Sequence, residues 1–261
     1  MFGKKLPPLL KFDMTEISVV IPAYNEKPNI GITLTKITTF LNDFEPNYEI
    51  IVVDDGSTDA TSETVDTFRS TNEKVILIKN AHKGKGFAVR TGVLNSTGNF
   101  VLLCDGDLAV PIEELKRLLV WVKDNDFDIG IGSREGIGAV RKNEPLIRHI
   151  MGRTFNLLVR LLVLSGINDT QCGFKLFRGD LAREIFKKSL LYGDSSKELK
   201  VPKVTAFDVE ILFIAKKMGK KIKEVPIVWE YRNTRVNNIR DSFYNFLDVL
   251  KVRFNDLLGK Y

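Results

Sequence analysis

The chain has 261 residues, of which 44% are hydrophobic and 28% are charged, and it contains 2 cysteines. This composition is typical of a globular domain and excludes both an intrinsically disordered chain and a disulfide-stapled scaffold. The net charge is +6, but residues 1–131 carry −5 and residues 132–261 carry +11. An acidic half joined to a basic half indicates ligands of different character on the two sides.

The first half of the sequence alternates between short apolar runs and stretches whose apolar residues recur at helical spacing. Strands are predicted at residues 17–21, 50–53, 75–78, 100–104 and 129–131, and helices at 30–41, 59–69, 84–95 and 112–123. This alternation predicts an α/β fold with a doubly wound, Rossmann-like, mainly parallel sheet and helices on both faces. In such sheets, ligands bind beyond the carboxyl ends of the strands.

The second half has longer helices and polar, basic loops. Helices are predicted at residues 146–164, 181–189, 207–218 and 242–258, a turn followed by a strand at 168–177, and a strand at 221–230. No linker separates the halves, so we expect one domain at 15–261 with an elaborated C-terminal half, preceded by a tail at 1–14. The tail lacks the long apolar segment of a secretion signal, and no apolar run in the chain is long enough to span a bilayer.

Two carboxylates, Asp105 and Asp107, follow the fourth predicted strand and are separated by Gly106. Mg²⁺ is typically held by one or two carboxylates together with substrate phosphates. A bare Asp-x-Asp sequence is more often a solvated turn, but the end of a strand in this type of sheet is where ligands bind. The position therefore favours a site for Mg²⁺ or Mn²⁺ at Asp105 and Asp107.

A second group of residues follows the first and second predicted strands, so both segments should line the same crevice. Carboxylates there can accept hydrogen bonds from a nucleobase or from ribose hydroxyls, and an aromatic ring can stack on a base. The alternative is turn chemistry, since Asp, Gly and Ser favour turns. The candidate nucleotide-binding residues are Pro22, Ala23, Tyr24, Glu26, Asp54 and Asp55.

Several segments, taken together, resemble family 2 glycosyltransferases of the GT-A fold. In the first half these are VVIPAYNE at 19–26, VVDDGSTD at 52–59, GKGFAVRTG at 84–92 and LLCDGDLAVP at 102–111. In the second half, DTQCGFKLF at 169–177 and AFDVE at 206–210 are similar to the dolichyl-phosphate β-glucosyltransferases. The polyprenyl-phosphate mannosyltransferases share the general plan.

The resemblance implies an inverting transfer of a hexose from a nucleotide sugar to a polyprenyl phosphate, with UDP-glucose as the preferred donor. Transfer of mannose from GDP-mannose, a non-lipid acceptor and a catalytically inactive binding module are the alternatives. The resemblance also implies that residues 15–132 bind the nucleotide sugar and that residues 133–261 face the acceptor and the membrane. Asp105 and Asp107 would then hold the metal and support catalysis.

A phosphate acceptor needs attraction and orientation more than a general base, because its second pKa is about 6. Arginine guanidinium groups suit that task. By analogy with the mannosyltransferases, the acceptor-phosphate candidates are Arg134, Arg148 and Arg235. Asp169, as a base or an orienting group, and Gln171 are catalytic candidates beside the sugar, and Lys85 is a candidate on the donor side.

Two departures from the family pattern stand out. The family usually has Asp-Ala-Asp where this chain has Gly106, which leaves both carboxylates in place. Eukaryotic glucosyltransferases of this type carry an N-terminal membrane anchor that this sequence lacks, so we expect peripheral association with the cytoplasmic face of a membrane. The Gln-x-x-Arg-Trp motif of processive synthases and the Gly-x-Gly-x-x-Gly motif of dinucleotide-binding proteins are both absent.

Two predicted helices are candidates for contact with the membrane surface. In helix 146–164, one narrow polar stripe consists of His149, Arg153, Asn156 and Arg160. For this helix, a membrane surface and core packing both remain open. The final helix has an apolar face made of Phe243, Phe246, Leu247, Leu250, Phe254 and Leu257. We expect that face to cover the sheet or to form a dimer interface. No aromatic and basic platform indicates a nucleic-acid partner.

Overall fold

The computed structural model describes residues 15–193, 196–199, 206–232 and 239–261, with the backbone alone at 239–242. The strands are β1 (Ile17–Ala23), β2 (Tyr48–Asp54), β3 (Val75–Lys79), β4 (Phe100–Leu103), β5 (Ile129–Ser133), β6 (Val140–Lys142), β7 (Lys175–Arg178), β8 (Ile222–Pro226) and β9 (Val228–Glu230). The α-helices are α1 (Lys27–Phe44), α2 (Thr61–Arg69), α3 (Lys85–Leu94), α4 (Leu115–Leu119), α5 (Leu146–Leu162), α6 (Gly179–Lys188), α7 (Phe207–Lys217) and α8 (Ile239–Leu257).

Within the described residues, the main sheet has seven strands in the order β3-β2-β1-β4-β7-β5-β8. Neighbouring strands are parallel except at β7, which runs antiparallel to both β4 and β5. This arrangement confirms the predicted doubly wound α/β fold. The antiparallel direction of β7 and the small parallel sheet formed by β6 and β9 were not predicted.

The residues of β1 alternate between the two faces of the sheet, as side chains of a strand must. Val19 and Ile21 lie in the core shared with α1, α2 and α4, whereas Val20 lies in the core shared with α3, α6 and α7. Both cores are apolar at these positions, which explains why the strand is apolar from Ile17 to Ile21 except at Ser18, whose hydroxyl donates to Glu49.

Pro22 was predicted to end the first strand, but β1 continues through Ala23. The reason lies in the pairing of β1 with its two neighbours. Pairing with β4 stops at Val20, whereas pairing with β2 continues to Ala23. The backbone of Val20 faces β4, where its carbonyl accepts from Cys104, and Pro22 has the same orientation two residues on. A missing N–H therefore removes no sheet hydrogen bond at Pro22.

Helices α5 and α8 pack against each other. Each buries only a narrow side of its surface, and that side includes polar residues. The buried residues of α5 are Asn156 and Val159, and those of α8 include Asp248, Val249 and Val252. The expectation that the bulky apolar face of the final helix covers the sheet is wrong, because α8 packs on α5 and α7 and buries the side that carries Asp248, Val249 and Val252; a dimer interface stays a prediction. The exposed side chains of the expected face are Phe243, Leu250, Phe254 and Leu257.

Candidate active site

The turn that carries Asp105 and Asp107 lies at the carboxyl end of β4, beside the end of β1. Helix α1 holds the turn, since Thr33 Oγ1 donates to the carbonyl of Gly106 over 2.7 Å. Asp107 Oδ1 accepts the N–H of Ala109 at 3.0 Å. The strand end and these two hydrogen bonds fix the backbone that presents both carboxylates.

Gly106 stands where the resemblance described above leads us to expect alanine. A Cβ built on Gly106 would lie 3.4 Å from Cγ of Glu26, which is an ordinary van der Waals distance. The turn therefore has room for an alanine at this position. The same contact shows that Glu26, one of the nucleotide-binding candidates, lies directly over this turn.

The carboxylates of Asp105 and Asp107 have different electrostatic surroundings. Burial acts to raise the pKa of Asp105, but the cations around it, first the ammonium of Lys85 at 2.6 Å and then Lys175 and Arg134, lower it overall. For Asp107, burial and the charge of Asp105 together raise the pKa to about 6. Burial acts to lower the pKa of Lys85, but the carboxylates of Asp105 and Asp208 raise it overall. Lys85 therefore stays cationic. It lies beside the ionised carboxylate of Asp105, whereas the carboxylate of Asp107 takes up a proton more readily than an ordinary aspartate.

This donor set fits a divalent cation that is shared with a substrate. In the described part of the chain, no group of three or more His, Cys, Asp or Glu residues could hold a metal alone. Two carboxylates on one turn match the protein share of a Mg²⁺ or Mn²⁺ site, in which phosphates and water supply the other ligands. The pKa of Asp107 is raised by burial and by the charge of Asp105, and a cation bound between the two carboxylates would oppose both effects.

Asp54 and Asp55, at the end of β2, are both buried and both hydrogen-bonded. Asp54 accepts the N–H of Ser57 at 2.9 Å and the hydroxyl of Ser62. Asp55 accepts three donors of the segment before α3: Nδ1 of His82 at 2.7 Å, the N–H of Lys83 at 2.9 Å and the N–H of Gly84 at 2.8 Å. These carboxylates thus shape the loops of the crevice.

The segments after β1 and β2 are joined to each other, as predicted for two sides of one crevice. The carbonyl of Ala23 accepts the N–H of Asp55 at 2.8 Å, and the two strands are paired as far as Ala23 and Asp54. Tyr24 stacks on the ring of His82 with centroids 4.1 Å apart and planes 14° apart. One face of Tyr24 is thus covered by an imidazole that sequence reasoning did not single out.

Arg134 and Asp169 form a buried bidentate ion pair. Nε and Nη2 of Arg134 donate to the two oxygens of Asp169 at 2.8 Å each, and the Arg134 N–H donates at 2.9 Å. Asp169 is 0% exposed; burial acts to raise its pKa, but Arg134 lowers it to about 2. A carboxylate so strongly stabilised in its charged form is a poor proton acceptor. Of the two roles left open for Asp169, this geometry favours the orienting one.

Arg148 differs from Arg134 in having no carboxylate partner within the described residues. Its guanidinium lies over the ring of Tyr231, 5.0 Å from the centroid, whereas that of Arg134 lies over Trp229 at 5.3 Å. Gln171 has a buried Nε2 with no hydrogen-bond partner among the described residues. Gln171 follows Asp169 by two residues, and Trp229 and Tyr231, the rings under Arg134 and Arg148, have centroids 6.1 Å apart. In the part of the chain that the structure describes, Arg148 and Gln171 thus offer free donors close to the Arg134–Asp169 pair. Arg235 lies outside the described residues.

Sequence reasoning missed two charged residues of the second half, the partly buried Glu224 and the fully buried Lys175. Glu224, on β8, accepts the N–H of Asp169 at 2.9 Å and the hydroxyl of Ser133 at 3.3 Å. Lys175, at the start of β7, pairs with Asp208 of α7. The sequence signal for Lys175 is a lysine within an otherwise apolar predicted strand. The sequence offers no comparable signal for Glu224.

The model of the Glycosyl transferase family 2 matches residues 18–186 of the chain. The curated proteins similar to the chain include a dolichyl-phosphate beta-glucosyltransferase of Dictyostelium discoideum, which is 34% identical over 95% of this chain and 76% of its own length. The protein of the same name from Homo sapiens is 33% identical over 98% of this chain and 80% of its own length.

Solved structures share the fold at low sequence identity. A mannosyl-3-phosphoglycerate synthase from Rubrobacter xylanophilus has a TM-score of 0.65 at 18% identity, covering 95% of this chain and 76% of that one. Glucosyl-3-phosphoglycerate synthase from Mycobacterium tuberculosis, in complex with Mn²⁺ and UDP-glucose, has a TM-score of 0.62 at 17% identity over 92% of this chain and 79% of that one. A mannosyltransferase from Pyrobaculum calidifontis, in complex with GDP-mannose and Mn²⁺, has a TM-score of 0.58 at 19% identity. The match covers 94% of this chain and 64% of that one.

Proposed function

Because the chain belongs to glycosyl transferase family 2, we propose that it transfers glucose from UDP-glucose to a dolichyl-type polyprenyl phosphate, with inversion at the sugar carbon. The relatives that are about one-third identical carry the name of that activity, which supports the choice of glucose over mannose. The observation that carries the proposal is the pair Asp105 and Asp107 at the carboxyl end of β4, next to the loops of β1 and β2.

On the donor side, Asp105 and Asp107 would hold Mg²⁺ or Mn²⁺, which as a Lewis acid neutralises charge on the departing diphosphate. Two proteins of the same fold are in complexes with Mn²⁺. Lys85 lies 2.6 Å from Asp105 and adds a second positive charge at this end of the crevice. Tyr24 and Glu26 border the same space for the nucleotide, while Asp54 and Asp55 keep its loops in place.

On the acceptor side, the phosphate oxygen is the nucleophile and is ionised at neutral pH, since its second pKa is about 6. Arg148, which has no acid partner among the described residues, is the group we assign to the acceptor phosphate. Arg134 contributes its remaining N–H groups while Asp169 fixes its orientation. The unpaired Nε2 of Gln171 is suited to a sugar hydroxyl. No residue needs to act as a base in this scheme.

The acceptor lipid would be reached through an apolar surface formed by α5 and α8. Of the nineteen large apolar side chains that are exposed in the described residues, twelve lie on these two helices or directly after α8. Two residues of the polar stripe of α5 face the protein instead, since Asn156 accepts from Thr170 and Arg160 donates to Asn168, whereas Arg153 is exposed. Among the described residues, no helix is long and apolar enough to cross a bilayer. From the exposed apolar side chains of these helices, we propose that α5 and α8 lie in the membrane interface.

The test of this function is a lipid-transfer assay on the full chain. Radiolabelled UDP-glucose, GDP-mannose and UDP-N-acetylglucosamine are offered separately with a polyprenyl phosphate and Mn²⁺ or Mg²⁺, and the lipid is then extracted. We expect label in the organic phase from UDP-glucose, and loss of that label in Asp107→Ala but not in Asp66→Ala, an exposed acid on α2. Label from GDP-mannose alone would instead make the chain a mannosyltransferase, and transfer to water or a soluble sugar alone would overturn the lipid acceptor.

A further inference from the structure

A fully buried ammonium lies near the turn of Asp105 and Asp107. Lys175 is 0% exposed and is paired in the sheet with Leu103 of β4 and Ile131 of β5. Its Nζ donates to the carbonyl of Cys172 and forms an ion pair with Asp208 at the start of α7. Burial of an ion pair is costly, and apolar residues of similar size often replace such pairs without loss of stability. The buried charge of Lys175 is therefore expected to have a role other than packing.

The carbonyl that Lys175 holds belongs to the segment that touches Asp105. The next residue is Gly173, and a Cβ built there would overlap the carboxylate of Asp105, at 2.6 Å from its Cγ. The side chain of Asp105 therefore lies directly against the backbone of Gly173. In a close-packed contact of this kind, a small movement of the backbone must move the carboxylate.

The charge of Lys175 is balanced within the same cluster. Burial acts to raise the pKa of Asp208, and Lys175 opposes that effect as its ion-pair partner. Lys175 acts to lower the pKa of Asp105, and Asp105 acts to raise that of Asp208, so the two side chains act on Asp105 with opposite signs and together carry no net charge. Replacing both with apolar residues therefore tests the geometry of the turn and leaves the charge of the cation site nearly unchanged.

The geometry points to Lys175 as a positioning residue for Asp105, the metal ligand of the function proposed above. Lys175 fixes the carbonyl of Cys172, which fixes the backbone of Gly173, and Asp105 lies against that backbone. Asp208 holds the ammonium in place from α7. The inference rests on the divalent-cation site of the proposed function, and it assigns this buried pair to the metal site.

The experiment measures Mn²⁺ binding to the full chain in the presence of UDP by electron paramagnetic resonance. The variant Lys175→Met/Asp208→Leu is compared with Lys217→Met/Asp256→Leu, which removes an exposed ion pair between α7 and α8. We expect the Kd for Mn²⁺ to rise about tenfold in the first variant, equivalent to about 1.4 kcal/mol. The control should bind as the wild type does, and melting curves show which variants are folded at the temperature used.

A second variant keeps the test decisive if the first does not fold. Gly173→Ala inserts a methyl group against Asp105 and should weaken Mn²⁺ binding to at least the same extent. A folded Lys175→Met/Asp208→Leu variant with wild-type affinity for Mn²⁺, or Gly173→Ala with wild-type affinity, overturns the inference while leaving the proposed function intact. If the wild type itself binds no Mn²⁺, the metal site of the proposed function fails, and the inference fails with it.

Discussion

Among individual residues, Asp107 is the clearest case in which a candidate functional group works against the stability of the fold. Burial and the neighbouring Asp105 raise its pKa from 3.8 to about 6. A carboxyl whose pKa is higher in the folded than in the unfolded state destabilises the fold once the pH exceeds these values. Such a cost is common where charges are collected for a ligand rather than for packing.

Replacing Asp107 with asparagine should therefore stabilise the metal-free protein and abolish transfer. At about pH 7.5 the free energy of unfolding should rise by about 1 kcal/mol, a value reduced to allow for partial exposure of the side chain. The gain should disappear as the pH falls from about 6 to about 4, where the wild-type carboxyl is protonated in the folded state. Urea unfolding at several pH values measures this effect, with Asp66→Asn as the exposed control; a gain that does not depend on pH would contradict it.

Asp169 presents the opposite case, because its pKa is lowered to about 2 by Arg134 despite burial. Such a group stabilises the fold above the unfolded pKa of 3.8, and this stability is lost as the pH falls toward 2. Asp169→Asn leaves the guanidinium of Arg134 buried without a counter-charge, which costs about 3–5 kcal/mol when a buried pair is broken.

Urea unfolding of Asp169→Asn and wild type between about pH 8 and pH 3 tests this view of the pair. The difference in the free energy of unfolding should be constant down to about pH 4 and should narrow below it. Asp180→Asn is the matched control, since Asp180 also pairs with an arginine but is fully exposed. A difference that narrows near neutral pH would show that Asp169 titrates there, as a general base would.

The elements differ in how far the sequence could specify them. The strands of the first half follow from apolar runs ended by acidic turns, and β1, β2 and β4 lie where these runs predict them. The direction of β7 cannot be predicted from its own residues, because it is set by the pairing of β7 with β4 and β5, which come from distant parts of the chain. In the site, the motifs indicated Asp105 and Asp107, but the partners of Asp55 and Asp169 come from distant segments that only the fold brings together.

Periodicity correctly identified the polar stripe of α5 but could not say which side faces the protein. Asn156 faces inward because its Oδ1 accepts the N–H and the hydroxyl of Thr170. The leucines on the opposite side of α5 are therefore exposed. In α8, Asp248 faces inward for a similar reason, through its hydrogen bond with Tyr192. A few specific polar contacts thus reversed the orientation that amphipathicity alone would favour.

If α5 lies in the membrane interface, polar substitutions on its exposed face should weaken binding to vesicles without unfolding the protein. Leu157→Gln/Leu161→Gln removes two apolar side chains that are 47% and 74% exposed. We expect vesicle binding to fall about tenfold or more, since each buried apolar side chain contributes about 1.5–3 kcal/mol. Ile32→Gln, on α1 and 60% exposed, is the control and should bind as the wild type does. Equal binding by all three proteins would exclude the α5 surface.

At the scale of the whole molecule, the opposite charges of the two halves of the chain correspond to the proposed donor and acceptor sides. The half with charge −5 contains the carboxylates at the ends of β2 and β4, and the half with charge +11 contains Arg134 and Arg148 together with both helices of the apolar surface. Basic residues that border that surface include Arg153, Lys251 and Arg253, each about half-exposed or more. A basic half is expected to be drawn to an anionic leaflet, at about 1 kcal/mol for each basic residue near the surface.

Vesicle binding should therefore have two parts that salt separates. Charges near an anionic surface are screened over about 10 Å at 0.1 M salt, whereas apolar insertion does not weaken with salt. Raising NaCl from about 50 to about 500 mM should weaken binding to phosphatidylserine vesicles about tenfold or more and leave weak binding to phosphatidylcholine vesicles unchanged. Co-sedimentation measures both, and the Leu157→Gln/Leu161→Gln variant should lose binding to both kinds of vesicle. Salt-independent binding to anionic vesicles would mean that the +11 half serves the acceptor phosphate alone and not the membrane surface.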